Sequence, residues 1–440
     1  MTPWEELVSA ALVGTDRRPY SGDLLADAAV EVVRQRAGRR PGPRPEGRAA
    51  PQESQEKVGR AAADRLAAIL AGEHPRLLPE WLELAAAGGR RVPPHQLPEL
   101  LDKGQRDRSI REHLGVLAGQ RGRWLAGRNP AWAYLLEEPT GEAWELGGSA
   151  DRRAHLKALR AADPGEARRL LESTWEQETP DDRAAFLELF DTGLSLADEP
   201  FLEAALDDRR REVRQQAANL LAKLPGSALA ARMAERVRQC VTVGRSEIVV
   251  IPPLECDRVM ERDGVRAKPP AGTGERAWWM QQLIARAPLS IWTHPPEEIV
   301  AKRISDWETE VRLGWVRAAI LQRDPAWARA MFAWDPIADL LVALPPLEQQ
   351  ALAAAFAERH DLDNQLIMVL GGVAPPWQAG LAVAVLNKIV KTATLQPWNL
   401  GELSRIAAER IDPALHEVAA GVPEVAGVLR FRAKMREELS

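Results

Sequence analysis

Residues 207–225 read DDRRREVRQQAANLLAKLP. Within them Val213, Ala217, Leu220, Leu221 and Leu224 fall at i, i+4, i+7, i+8 and i+11, the spacing of a helix with one buried face. Pro225-Gly226 ends the helix. Upstream, similar short patterns cover 199–206, 181–190 and 165–175, with only a few residues between them. Helices this short cannot hide their apolar stripes alone. Joined by tight turns they lie antiparallel to their neighbours, and a series of such pairs stacks into a solenoid. The expected fold class is therefore all-α, an α-solenoid of antiparallel helix pairs.

Repeated turn chemistry supports this. Asn129-Pro130-Ala131-Trp132-Ala133 is echoed by Asp324-Pro325-Ala326-Trp327-Ala328, and Asp163-Pro164, Asp335-Pro336 and Asp412-Pro413 repeat the device. An Asx side chain caps the free N–H groups of a new helix, while Pro suits its first position. From Asp163 to the Asp207-Asp208 turn is about 44 residues, within the roughly 40 to 47 expected of HEAT-type repeats.

Working outward, the chain divides into N-terminal helices over 1–36, a Gly/Pro/Arg-rich linker over 37–54, an N-terminal helical domain over 55–150, HEAT-like repeats over 151–241 and C-terminal helical repeats over 275–440. Between the last two, the β-branched run at 247–251, Pro252-Pro253 and Gly272-Thr273-Gly274 predict a small strand/loop insert over 242–274. Arg34, Arg36, Arg39, Arg40, Arg44 and Arg48 in and beside the linker read as a solvated charge run.

Composition excludes several function classes. The 440 residues carry 58 basic and 63 acidic side chains, a net charge of -5, which argues against nucleic acid as partner. No apolar run approaches the roughly 20 residues of a membrane span. Met1-Thr2-Pro3-Trp4-Glu5-Glu6 is acidic where a secretory leader is basic, so a cytoplasmic location is expected. Cys240 and Cys256 form no CxxC pair and read as reduced thiols. The 15 tryptophans against 6 phenylalanines and 2 tyrosines suit helix seams and binding surfaces alike.

No catalytic constellation stands out. His74, His95, His113, His155, His294, His360 and His416 show neither HxxxH nor HExxH spacing, so no metal site is expected. Gly272-Thr273-Gly274-Glu275 lacks the Gly-Lys-Ser/Thr ending of a phosphate loop and reads as a turn, and no cofactor is expected. The acid pairs at Asp181-Asp182, Asp207-Asp208 and Asp361-Asp363 read as helix caps. Two clusters are candidate partner-binding residues. Arg121, Arg123, Trp124 and Arg128, with Trp132 nearby, are the residue types that dominate interfaces, unless both indoles are core. Arg209, Arg210, Arg211 and Arg214 stand at a helix start, where the dipole disfavours cations, unless they pair with Asp207, Asp208 and neighbouring acids.

The stretch 207–225, with its acidic turn, Val-Arg, small-residue pair and closing Leu-Pro, resembles the second helix of a HEAT repeat. That resemblance implies a scaffold whose groove holds a protein partner; a few such arrays bind duplex DNA. The chain also looks like an uncharacterised bacterial family, through Ala11-Leu12-Val13-Gly14-Thr15-Asp16-Arg17, Gly122-Arg123-Trp124-Leu125 and Asp198-Glu199-Pro200-Phe201-Leu202 running into Leu206-Asp207-Asp208-Arg209, over about the first half. Relatives encoded near AAA-type ATPases and von Willebrand factor A proteins imply an accessory role in such a system. The expected function is a non-enzymatic scaffold or adaptor; the alternative is a HEAT-like DNA-binding or DNA-repair protein.

Overall fold

The computed structural model describes residues 3–37, 49–136, 143–393 and 399–440. They are mostly helical and fall into two units, 1–54 and 55–440. The first holds helices Pro3–Val13 and Leu24–Ala37, packed against each other. The linker arginines Arg39, Arg40, Arg44 and Arg48 lie outside the described residues.

In the second unit most helices pack on sequence neighbours: Ser149–Ala162 on Pro164–Thr174, Glu199–Ala205 on Arg211–Ala222, and Glu308–Gln322 on both Glu275–Arg286 and Pro325–Trp334. The Asp-Pro turns cap as their chemistry predicts. The Asp163 carboxylate accepts from the Glu166 N–H, and that of Asp324 from the Ala326 and Trp327 N–H groups. Asn129 and Asp412 cap 3₁₀ turns at Pro130–Leu135 and Pro413–Leu415. Asp335 departs from the pattern: it closes the Pro325–Trp334 helix at its C-terminus instead of opening the next.

The strands expected in the insert are confined to β1 (Val241–Val243) and β2 (Glu247–Val250), an antiparallel pair. A third strand, β3 (Arg303–Ile304), joins β2 in parallel from well outside the insert. The remainder of 242–274 holds a short helix, Arg258–Arg262, because the Asp257 side chain caps it at the Met260 N–H.

One continuous core runs from Trp144 to Leu429. Tryptophans do fill its seams: Trp292, Trp315 and Trp327 form a triangle with centroids 5.2–6.2 Å apart. Gly314 lets the Glu275–Arg286 and Glu308–Gln322 helices approach closely, since a Cβ there would lie 2.7 Å from Ile284. A second core, Val58 to Leu135, takes two members from the far end of the chain, Met435 and Leu439. Both belong to the last helix, Pro423–Leu439, whose Leu429 sits in the first core. That helix therefore joins the two cores, and packing between sequence neighbours does not account for the whole unit.

Ion pairs fix this closure. Arg432, only 3% exposed, donates from Nε to Glu80 Oε2 at 2.7 Å and from Nη1 to the Ala408 and Ile411 carbonyls, while Arg65 meets Glu438 through two bonds of 2.6 and 2.7 Å. Truncating one member of a buried, hydrogen-bonded pair leaves its partners unsatisfied. Arg432→Ala is expected to destabilise residues 55–440 by about 3–5 kcal/mol, read as a lowered denaturant midpoint, against almost no change for the exposed Arg60→Ala.

Candidate functional site

The structure separates the sequence-derived clusters. Arg121, Arg123 and Trp124 lie on helix Gly119–Ala126, with both arginines exposed and the indole half-buried. The Arg128 guanidinium stacks 3.8 Å above the Trp124 ring. Trp132 is half-buried against the second core, its Nε1 donating to Asp102 at 2.8 Å. Neither indole is fully buried.

At the start of the Arg211–Ala222 helix, Asp207 and Asp208 do not pair with the arginines that follow them. Asp207 is held by Arg262 and Asp208 by Arg183, both from neighbouring elements. The guanidinium of Arg262 holds the Asp207 carboxyl below its ordinary range. Arg209 and Arg210 are exposed and have no carboxylate within 4 Å of their guanidiniums among the described residues. Arg211 reaches only its neighbour Glu212, at 3.3 Å, and Arg214 donates to the backbone carbonyls of Asp208 and Arg209.

Elsewhere two buried hubs show the terms on which the fold accepts a charge, although Arg312 keeps an Nη1 without an acceptor. Arg160, 0% exposed, donates to both oxygens of Asp198 and to the carbonyls of Pro164, Phe190 and Thr192, and stacks on the Phe190 ring. Asp263, also 0% exposed, gathers Arg232, Arg236 and Arg262. A buried charge is tolerated on such terms because hydrogen bonds and a counter-charge replace the lost hydration.

Arg286 breaks this rule. It ends the Glu275–Arg286 helix and is 7% exposed, yet it meets no carboxylate among the described residues. Its contacts are two long ones of 3.4 Å, Nη1 to the Gln282 carbonyl and Nη2 to the Asn219 amide oxygen, and Nε has no acceptor. Burial first, then repulsion from Arg317 and Arg266, pushes its pKa down to about 10. The last-turn position on a helix is favourable for a cation but leaves most of five N–H donors unused.

Arg286 lines a cavity of about 400 Å³ between the Arg211–Ala222, Glu275–Arg286 and Glu308–Gln322 helices. Exposed Arg266 and Arg317 line it too, and neither forms an ion pair among the described residues. The one carboxylate on its wall, Asp339, also forms none. Trp278 adds a half-buried indole whose Nε1 has no acceptor. A second cavity of about 250 Å³ shares Gln215 and Arg266 with the first and adds Arg211, Arg214 and Lys268. Two of the sequence-derived arginines thus join a run of six cations: Arg211, Arg214, Lys268, Arg266, Arg286 and Arg317.

Sequence reasoning missed Lys268, Arg266, Arg286 and Arg317. One signal was available. Arg286 interrupts the apolar run Leu283-Ile284-Ala285-Arg286-Ala287-Pro288-Leu289, every residue of which is buried. A charge in such a run is either paired or used.

Among the described residues no group of three His, Cys, Asp or Glu is placed to hold a metal. Burial raises the pKa of both thiols, that of Cys256 to about 11, which disfavours the thiolate.

A family model described as a family of unknown function (DUF5691) matches residues 6–439, and the chain belongs to that family. The match covers nearly the whole chain, well past the first half that carries the sequence resemblance. No curated protein and no solved structure matches it.

An unpaired buried cation costs stability, so replacing it with an apolar side chain of similar length relieves the fold. Arg286→Met is expected to stabilise the protein by about 1–2 kcal/mol, seen as a raised melting temperature. Arg160→Met, which leaves buried Asp198 with Arg168 as its remaining cation and strips the donor from the Pro164, Phe190 and Thr192 carbonyls, is expected to lower it.

Proposed function

We propose that this member of the family is a non-enzymatic scaffold or adaptor, built of HEAT-like antiparallel helix pairs, that works in the cytoplasm and engages an acidic surface of a protein partner. The single observation that carries this reading is the run of six cations along adjoining cavities on the Arg211–Ala222, Glu275–Arg286 and Glu308–Gln322 helices. Carboxylates are sparse there, with Glu261 and Asp339 the acids on the cavity walls. Exposed Arg209 and Arg210 extend the positive region at the entrance to the Arg211–Ala222 helix. Such a field steers an oppositely charged partner and selects against basic ones. Arg121, Arg123, Trp124 and Arg128 are a second partner-binding candidate, supported by the cation–π stack of Arg128 on Trp124.

The same cations favour a second reading, binding of duplex DNA as in some HEAT-like proteins, which the overall charge of -5 disfavours. An accessory role beside an AAA-type ATPase belongs to the first reading and rests on the sequence resemblance.

Affinity purification of the tagged chain with mass spectrometry tests the proposal. The expected result is a specific protein that rebinds in purified form and is lost when Arg209, Arg210 and Arg211 are all changed to Glu. No specific protein above background, or duplex DNA binding whose affinity falls steeply with salt, contradicts it.

A further inference from the structure

We infer that the cavity floored by Arg286 is a binding site for a small molecule carrying a phosphate monoester on a flat or apolar body. This goes beyond the adaptor reading, with which it shares Arg266, Arg286 and Arg317, but it requires no protein partner. Four observations converge. The first is the missing acceptor. Arg160 has a bidentate carboxylate and three carbonyls, whereas Arg286, 7% exposed, has two contacts of 3.4 Å and lines one cavity. A guanidinium fork is shaped for two oxygens of one oxyanion.

The second is the charge balance. Arg266, Arg286 and Arg317 face the single carboxylate of Asp339, a surplus of two positive charges on the cavity wall. A phosphate monoester carries about -1.5 to -2 at neutral pH and matches that surplus, whereas a carboxylate leaves one cation uncompensated. The third is the supply of neutral donors. Gln281 and Asn219 bring side-chain amides to the same wall. A tetrahedral head group has enough oxygens to take bonds from several of these donors together with Arg286.

The fourth is the remainder of the lining. Leu313, Val316 and Ile320 from the Glu308–Gln322 helix, with Ile337 and the Trp278 ring, give an apolar wall beside the cationic floor. The volume of about 400 Å³ falls within the range of small-molecule sites, roughly 300–1,000 Å³, and exceeds what a bare phosphate fills. The floor lies at a residue 7% exposed, which a compact head group can reach and a duplex backbone cannot. A phosphate seated there supplies to Arg286 the counter-charge that Asp198 supplies to Arg160.

Calorimetric titration of the full chain with phenyl phosphate, inorganic phosphate and benzoate tests the site. Phenyl phosphate is expected to bind about tenfold more tightly than either of the others, since it alone has both the dianionic head and the flat body. Arg286→Met is expected to abolish that binding. Arg317→Gln, at an exposed position where folding is not at stake, is expected to weaken it severalfold. Benzoate as tight as phenyl phosphate overturns the dianion assignment, and inorganic phosphate as tight overturns the organic body. Absence of phenyl phosphate binding at millimolar concentration, or binding unchanged in Arg317→Gln and Arg286→Met, overturns the site itself.

Discussion

A guanidinium taken out of water must find acceptors, and this constraint organises the helical unit of 55–440. Asp198 answers it for Arg160 and Arg168, Asp263 for Arg232, Arg236 and Arg262, and Glu80 for Arg432 and Arg436. Apart from Arg262, the chain neighbour of Asp263, these arginines come from elements distant in sequence from the carboxylate they meet. Apolar stripes give the helices a reason to pack, but they are tolerant of sliding and rotation. A buried carboxylate that must meet two or three guanidiniums is not. The hubs therefore set which packing among many is adopted, and the apolar cores supply most of the free energy.

Two consequences follow for architecture. Neighbour-on-neighbour packing through the core from Trp144 to Leu429 is what short amphipathic helices require, since none covers its own stripe. The segment from Val58 to Leu135 would be left with an unfinished core, and the last helix completes it with Met435 and Leu439. Its cations Arg432 and Arg436 fasten it to Glu80, so the ends of the unit are held by charge as well as by apolar contact. Arg286 is the buried arginine that meets no carboxylate among the described residues, and its acceptor is inferred to come from outside.

Much of the fold was legible in the sequence because it is local. The stripe Val213, Ala217, Leu220, Leu221 and the Asp163 and Asp324 caps depend on residues within a turn or two, and the helices form where those patterns predict. What stayed hidden is what depends on distant partners. Nothing near Arg303 announces a strand, because β3 exists only through its pairing with β2. Nothing in the last helix announces Glu80. The site was half legible for the same reason. Arg211 and Arg214 stand out as a cluster along the chain, whereas Arg266, Arg286 and Arg317 are single arginines on separate elements. Only the interrupted apolar run around Arg286 carried a local trace of it.

The central claim is that the buried charge of Arg286 lacks a protein acceptor because an oxyanion from solution provides it. Crystals grown with tungstate, a tetrahedral dianion with strong anomalous scattering, test it most directly. The account predicts an anomalous peak within hydrogen-bond distance of the Arg286 guanidinium, absent from Arg286→Met crystals. An empty cavity at saturating tungstate, or the Asp339 carboxylate folded onto Arg286 as an internal counter-ion, would contradict it.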